Sequence, residues 1–283
     1  MTPPAQPALK AVDSTMSEAE WQTRVDLAAL YRLFVKYGWT DLIYTHISAR
    51  VPGEEGNYLI NPYGMFFDEI TASSLIKADY DGNVIDPPGG EYNQAGHLIH
   101  TAVLKARPEI NFVLHTHSRA GAAVSAMKCG LLPLSQHSNI VLEQVAYHDY
   151  AQVTNDDEEC ERLGRDIGDK YLMLMRNHGL LGCGRTAAEA FHYLYYMEMS
   201  CKIQVDVLAS GQDYIVPDQD AIDSLGKHGA PGDVPKGDRA CVCRCARCAG
   251  RPRRAQAGRA RRAGGAARAR AMHFGGACRA LRA

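Results

Sequence analysis

The residues of this sequence best suited to chemistry lie in Asn111-Phe112-Val113-Leu114-His115-Thr116-His117-Ser118. The mostly apolar start reads as a buried strand running into a His-x-His pair. Side chains two apart on a strand point the same way. His115 and His117 can therefore aim two imidazoles at one point, two-thirds of a three-histidine metal site. The plainer alternative is a pair of hydrogen-bonded polar residues at a strand end. A third histidine favours the metal. His178 lies in Tyr171-Leu-Met-Leu-Met-Arg-Asn-His-Gly-Leu-Leu181, a second apolar run that breaks at His-Gly. Three neutral histidines without an evident fourth ligand leave a coordination position for water or substrate, the arrangement of a catalytic ion. They suit Zn2+ best, and Mn2+ or Fe2+ also.

Two blocks, RPEINFVLHTHSRAG (107–121) and NHGLLGCGRTAAEAF (177–191), resemble the class II aldolase/adducin family, and the likeness runs from about Asp26 to Ala209. The resemblance implies an α/β fold, a three-layer α/β/α arrangement around a largely antiparallel sheet. It implies a homotetramer with sites between subunits, and a divalent metal on His115, His117 and His178. In the aldolases of this family the metal polarises a carbonyl and stabilises an enediolate, and an upstream Glu moves the proton. That Glu precedes a helix histidine by one turn. Here the histidine is His100, read as structural, and the Glu position is Gly96. Glu91, at the end of the preceding Gly-rich loop, is the candidate replacement, with a solvated surface Glu as the alternative. Pro133-Leu-Ser-Gln-His137 matches the stretch from which aldolases offer a Tyr to a neighbouring subunit's site. His137 is the candidate there, its side chain suited to proton transfer near neutrality; a capping or interface histidine is the alternative.

The resemblance also bears on phosphate. Phosphorylated-sugar aldolases hold the dianion with a Gly-Asn-x-Ser loop, a Thr-Gly pair and a Ser-Ser pair. This chain has Thr45-His46-Ile47-Ser48, Tyr63-Gly64 and Gln94-Ala95 instead, and no other Gly-rich phosphate loop. A non-phosphorylated substrate is therefore expected, with His46, Asn61, Gly64 and Arg119 as its contacts and Tyr63 nearby. His148 and His192 read as core or surface residues.

The elements that must position these groups follow from periodicity. Apolar residues from Val25 to Val35 space as an amphipathic helix over Glu20 to Tyr37, stopped by Gly38. Leu42 to Arg50 and Tyr58 to Asn61 form a hairpin about Pro52-Gly53-Glu54-Glu55-Gly56. Ile76 to Asp79 and Val84-Ile85 flank the turn Asp81-Gly82-Asn83. Asn93 to Arg107 is a helix ending before Pro108. A helix over Ser118 to Met127 follows the histidine strand. Ile140 to Ala146 is a strand and Asp156 to Asp169 a helix. Leu172 to Met175 and Leu180 to Cys183 are strands about the His178 turn. Thr186 and Glu189 have capping-box spacing for a helix running to about Ala209.

The chain has 283 residues and 46% hydrophobic content, enough for one sizeable domain. Residues 1–19 read as a disordered lead-in, 20–226 as the domain and 227–283 as an atypical tail. Over 239–283 there are 13 Arg, no Lys and no acid, leaving 18 basic against 32 acidic residues before it. Arg, Ala, Gly, Pro and Cys at this density are what GC-rich DNA yields out of frame, so the tail reads as frameshifted or disordered. A nucleic-acid-binding arm or a Cys-x-Cys-x-Cys-x2-Cys metal cluster are the alternatives, and no nucleic-acid partner is expected unless the arm is real. No apolar run approaches membrane-helix length, no secretory h-region opens the chain, and scattered cysteines fit a reducing compartment. The cytoplasm is the expected location. The function expected is a metal-dependent lyase that cleaves a C–C bond by aldol cleavage or decarboxylation. A non-haem Fe(II) oxygenase on the same scaffold and a non-catalytic adducin-like interaction module are the alternatives.

Overall fold

The computed structural model describes residues 16–149, 157–229, 231, 232, 242 and 244. The chain divides into two compact units, Met1–Arg251 and Pro252–Ala283, and every described residue belongs to the first. Residues 1–15 and nearly all of the Arg- and Cys-rich tail lie outside the described residues, and with them the readings made there. Of that tail, Val242 is described as buried against the core.

In chain order the elements are α1 Glu18–Tyr37, β1 His46–Arg50, β2 Asn57–Ile60, β3 Ile76–Asp79, β4 Val84–Asp86, α2 Gln94–Ala106, β5 Phe112–Thr116, α3 Arg119–Ser125, α4 Gln136–Val141, β6 Val145–His148, α5 Asp157–Ile167, β7 Leu172–Met175, β8 Gly179–Gly184, α6 Ala187–Ala209 and α7 Gln219–Gly226. The strands form one mixed sheet in the order β4-β3-β2-β1-β5-β8-β7-β6. Every pairing is antiparallel except β6 with β7, whose parallel run is allowed by the crossover through α5. The family's α/β arrangement with a largely antiparallel sheet is thus present.

Helices cover both faces. α2 and α5 pack together, α2 lying against β1 and β5, while α6 lies against β5, β7 and β8 with α3, α4 and α1 beside it. Tyr31 on α1 ties its layer to the sheet: its hydroxyl is 2.5 Å from the Ile47 carbonyl and 2.9 Å from Asn61 Oδ1. β5 and β7 are buried along their whole length, as expected of central strands covered on both faces. No described helix is long and apolar enough to cross a membrane.

Several boundaries differ from the sequence pattern, each for a local reason. α1 begins just before Glu20 because Ser17 accepts a hydrogen bond from the Glu20 amide. β1 begins only at His46: Leu42 has φ +48° and the Tyr44 amide bonds the Asp41 carbonyl, so the expected strand start is a turn. The strand expected from Ile140 is instead the end of α4, followed by a 3-10 turn at Leu142–Gln144. Ser135 and Ser138 form a reciprocal cap there, and local capping outweighs the β-favouring residues. Thr186 caps α6 through the Glu189 amide. The Glu189 carboxylate turns to the amide and guanidinium of Arg185 rather than back to the cap. The sequence pattern predicted nothing at α7, which Asp218 caps.

Candidate metal centre

Sheet register assembles the site. β1 and β5 place His46 opposite His115, so both rings leave the same face, the one α2 covers. His117 follows the end of β5, where the Thr116 hydroxyl donates to the Trp39 carbonyl at 2.9 Å. His178 sits in the turn between β7 and β8. Asn177 there has φ +55°, a left-handed conformation Asn tolerates through its short polar side chain. The residue after His178 must be glycine: a Cβ on Gly179 would lie 2.4 Å from the Thr116 carbonyl oxygen. The His-Gly break is therefore set by the close approach of β8 to the end of β5.

The three side chains converge. His117 Nε2 lies 2.9 Å from His115 Nε2 and 2.9 Å from His178 Nε2, and the three ligating atoms fall within 4.8 Å of one another. Acceptors behind two of the rings fix their tautomers. His115 Nδ1 donates to the Leu180 carbonyl at 3.0 Å, and His117 Nδ1 to Asp41 Oδ2 at 3.0 Å. In the neutral rings both Nε2 atoms then carry lone pairs. Two lone pairs facing each other at 2.9 Å call for a cation between them. Backing by a carbonyl and a carboxylate is also the usual support for metal-bound histidine. The residues fit a divalent ion.

Electrostatics agree. Burial first, then the neighbouring His46, His178, His117 and His100, holds the His115 imidazole well below its usual range. Burial, with His117 and His148 nearby, pushes His178 down to about 4. Both rings are neutral at physiological pH and free to ligate.

A chain of hydrogen bonds lies behind the site. The Ser48 hydroxyl is 2.5 Å from His100 Nδ1, and His100 Nε2 is 2.8 Å from His46 Nδ1. His46 in turn stacks on His115, with centroids 4.9 Å apart and planes at 24°. Burial pushes His100 down to about 3 and His46 well below its ordinary value, other histidines adding to each effect. Asp41, Tyr44, His46, Asn93, Ala95, Ile99, His117 and His178 line one cavity of about 310 Å³, small for a ligand pocket.

Of the site residues expected from sequence, His115, His117, His178 and His46 come together here. The others stand outside this lining. Glu91 is exposed, its carbonyl accepting the Tyr63 amide. Asn61 is buried and turned toward Tyr31. Gly64, at φ +85°, and Arg119 are exposed. His137 on α4 packs at a tilt against Tyr196 of α6, with centroids 5.3 Å apart and planes at 40°. His100, read as structural, is buried and fully engaged. Sequence reasoning missed Asp41, which reaches His117 across 76 residues from an irregular turn; no spacing rule links them. It also missed the His46–His100 pair, although His46 and Ser48 share a strand face and so hinted at a common partner.

Comparison with known proteins agrees with this geometry. The family described as Class II Aldolase and Adducin N-terminal domain matches residues 25–205. A Caulobacter vibrioides protein named after the class 2 aldolases is 56% identical over 201 residues, covering 71% of this chain and 78% of its own. Alpha-adducin of Rattus norvegicus is 43% identical over 214 residues, 74% of this chain but 29% of the adducin. The crystal structure of an aldolase II superfamily protein from Pseudomonas syringae superposes with a TM-score of 0.78 at 44% identity, over 84% of this chain and 98% of that one. With its fold, its histidine triad and its sequence in agreement, the chain belongs to the class II aldolase and adducin family.

Proposed function

We propose that the protein is a metal-dependent lyase that breaks a C–C bond beside a carbonyl or carboxylate of a small, non-phosphorylated substrate, by aldol cleavage or decarboxylation. The observation that supports this reading is the convergence of three histidine nitrogens, His117 Nε2 lying 2.9 Å from each of the other two, with acceptors behind His115 and His117. His115, His117 and His178 hold the ion, Zn2+ by preference and Mn2+ or Fe2+ as substitutes. When bound, a divalent ion supplies Lewis acidity toward the substrate oxygen. Asp41 orients His117 and the Leu180 carbonyl orients His115. None of the residues lining the cavity is Lys or Arg, so a phosphate dianion has no guanidinium or ammonium partner among them.

His46, the expected substrate contact that lines the cavity, is assigned to the substrate. Asn61, bound to Tyr31, serves the sheet more than the pocket; Gly64 and Arg119 are assigned to its approach. Glu91 and His137 are the proposed proton-moving groups. Because His137 stands outside its own chain's cavity, its role is in the site of a neighbouring copy within a homotetramer. A cytoplasmic location fits this chemistry. Identity to alpha-adducin favours a second reading, a non-catalytic interaction module.

The two are separated by incubating metal-loaded protein with a panel of small hydroxy-ketones, hydroxy-acids and keto-acids and assaying aldehyde or carbon dioxide release. The lyase reading expects turnover of some member that chelator abolishes and added metal restores. Full metal occupancy with no turnover of any member supports the module.

A further inference from the structure

Gly96 lies in the first turn of α2, a helix whose N-cap is Asn93. Glycine there costs helix stability relative to alanine, and its φ is not among the left-handed values that favour glycine. The cause is the neighbouring ring. A Cβ at position 96 would lie 2.7 Å from His46 Cδ2, 2.8 Å from Cγ and 3.1 Å from Nε2. The absent side chain is a notch, and His46 fills it. Two other contacts hold the ring: His100 at Nδ1 and His115 stacked on one face. His46 is only 2% exposed. A buried ring held at this many points is preorganised rather than adaptable. Its Nδ1 is engaged, so Nε2 is the polar atom left to act, and the ring lines the cavity with His117 and His178.

We propose that His46 and Gly96 act as one specificity element: the notch at position 96 seats the imidazole, and the seated ring makes a hydrogen bond to a small oxygen ligand bound at the histidine triad. The ligand-binding half of this inference rests on the metal reading above; the seating half does not. His46 is then a substrate-contacting residue and Gly96 a positioning residue that acts through it. The same seating closes the space beside α2, so a ligand with a bulky group there is excluded.

The test is a double-mutant cycle on the full chain with Gly96→Ala, His46→Ala and the pair, and with His46→Asn as a milder variant. Two readouts are taken. The first is the thermal midpoint of metal-free protein. Gly96→Ala should lower it in the wild-type background, because the methyl displaces the ring. It should raise it in the His46→Ala background, where only the helix preference for alanine remains. The second is binding of acetohydroxamate, a small oxygen ligand, to Co2+-loaded protein, followed by the visible spectrum of the ion. His46→Ala and Gly96→Ala should each weaken binding about tenfold, the effect of one lost hydrogen bond, with the double variant no weaker than His46→Ala alone.

Midpoints that fall in both backgrounds, or that add independently, overturn the seating. Probe affinity unchanged in His46→Ala with Co2+ retained overturns the contact while leaving the metal reading intact. Failure of wild-type protein to take up Co2+ removes the metal reading and the contact with it, and the midpoints still decide the seating.

Discussion

Asp41 and the Leu180 carbonyl decide which nitrogen of His117 and His115 faces the centre, so the proposed ligands depend on residues that would not touch the ion. Asp41→Asn keeps a hydrogen-bonding group but removes the charge, and should weaken metal binding about 10–100-fold. His115→Ala, His117→Ala and His178→Ala should each cost far more. Equilibrium dialysis against a competing chelator checks all four, and full metal content in any alanine variant removes that residue from the ligand set. Acid acts on the same rings. His178 and His100 have folded values of about 4 and about 3, against an ordinary 6.5. Between these values the unfolded chain takes up protons that the folded chain refuses, so stability falls as pH drops below 6.5 and is flat above it. Urea midpoints of metal-free protein at pH 7.5 and 5 should therefore differ, the lower pH giving the lower midpoint; equal midpoints contradict buried neutral histidines. The convergence of the three histidines was legible because two share a strand period and the third precedes a forced glycine. Asp41 was not, since its partnership is made by a turn whose geometry only the fold supplies.

At the scale of elements, the centre depends on how closely three strands approach. Gly179 allows β8 to start against Thr116, and a methyl there would sit 2.4 Å from a backbone oxygen and 3.3 Å from His117 Cδ2. Gly179→Ala should shift both His117 and His178, lowering the thermal midpoint and the metal content together; a loss of one without the other contradicts the account of this turn. Tyr31→Phe tests the opposite face. It removes hydrogen bonds to Ile47 and Asn61 in a fully buried setting and should cost about 1–3 kcal/mol, read from denaturant unfolding, with metal content unchanged. The strands and long helices were legible from periodicity because tertiary packing followed the same pattern. The Ile140 to Ala146 stretch was misread because β-branched residues there face a helix start that two serines fix locally. α7 was missed because it is short and polar, leaving little periodic signal.

On the scale of the molecule, the family membership was legible from two short blocks, and the sheet order was not: a strand list does not say that β1 neighbours β5, the pairing that brings His46 to His115. The cavity is small and holds no Lys or Arg among the residues lining it, so L-fuculose 1-phosphate should not be turned over; a coupled assay with metal-loaded protein checks this, and robust cleavage contradicts the reading of the pocket. The described core, including Val242, lies in the unit that ends at Arg251. Deleting residues 252–283 should therefore leave folded protein with its metal, as judged by circular dichroism and elemental analysis; an unfolded product contradicts this. Elemental analysis also tests the central claim most directly. Protein purified without chelator or metal-affinity resin should carry about one divalent ion per chain, Zn2+ or Mn2+, and the His115→Ala/His117→Ala variant almost none. Intact, folded protein with no bound metal, and no uptake on adding Zn2+ or Mn2+, would contradict it.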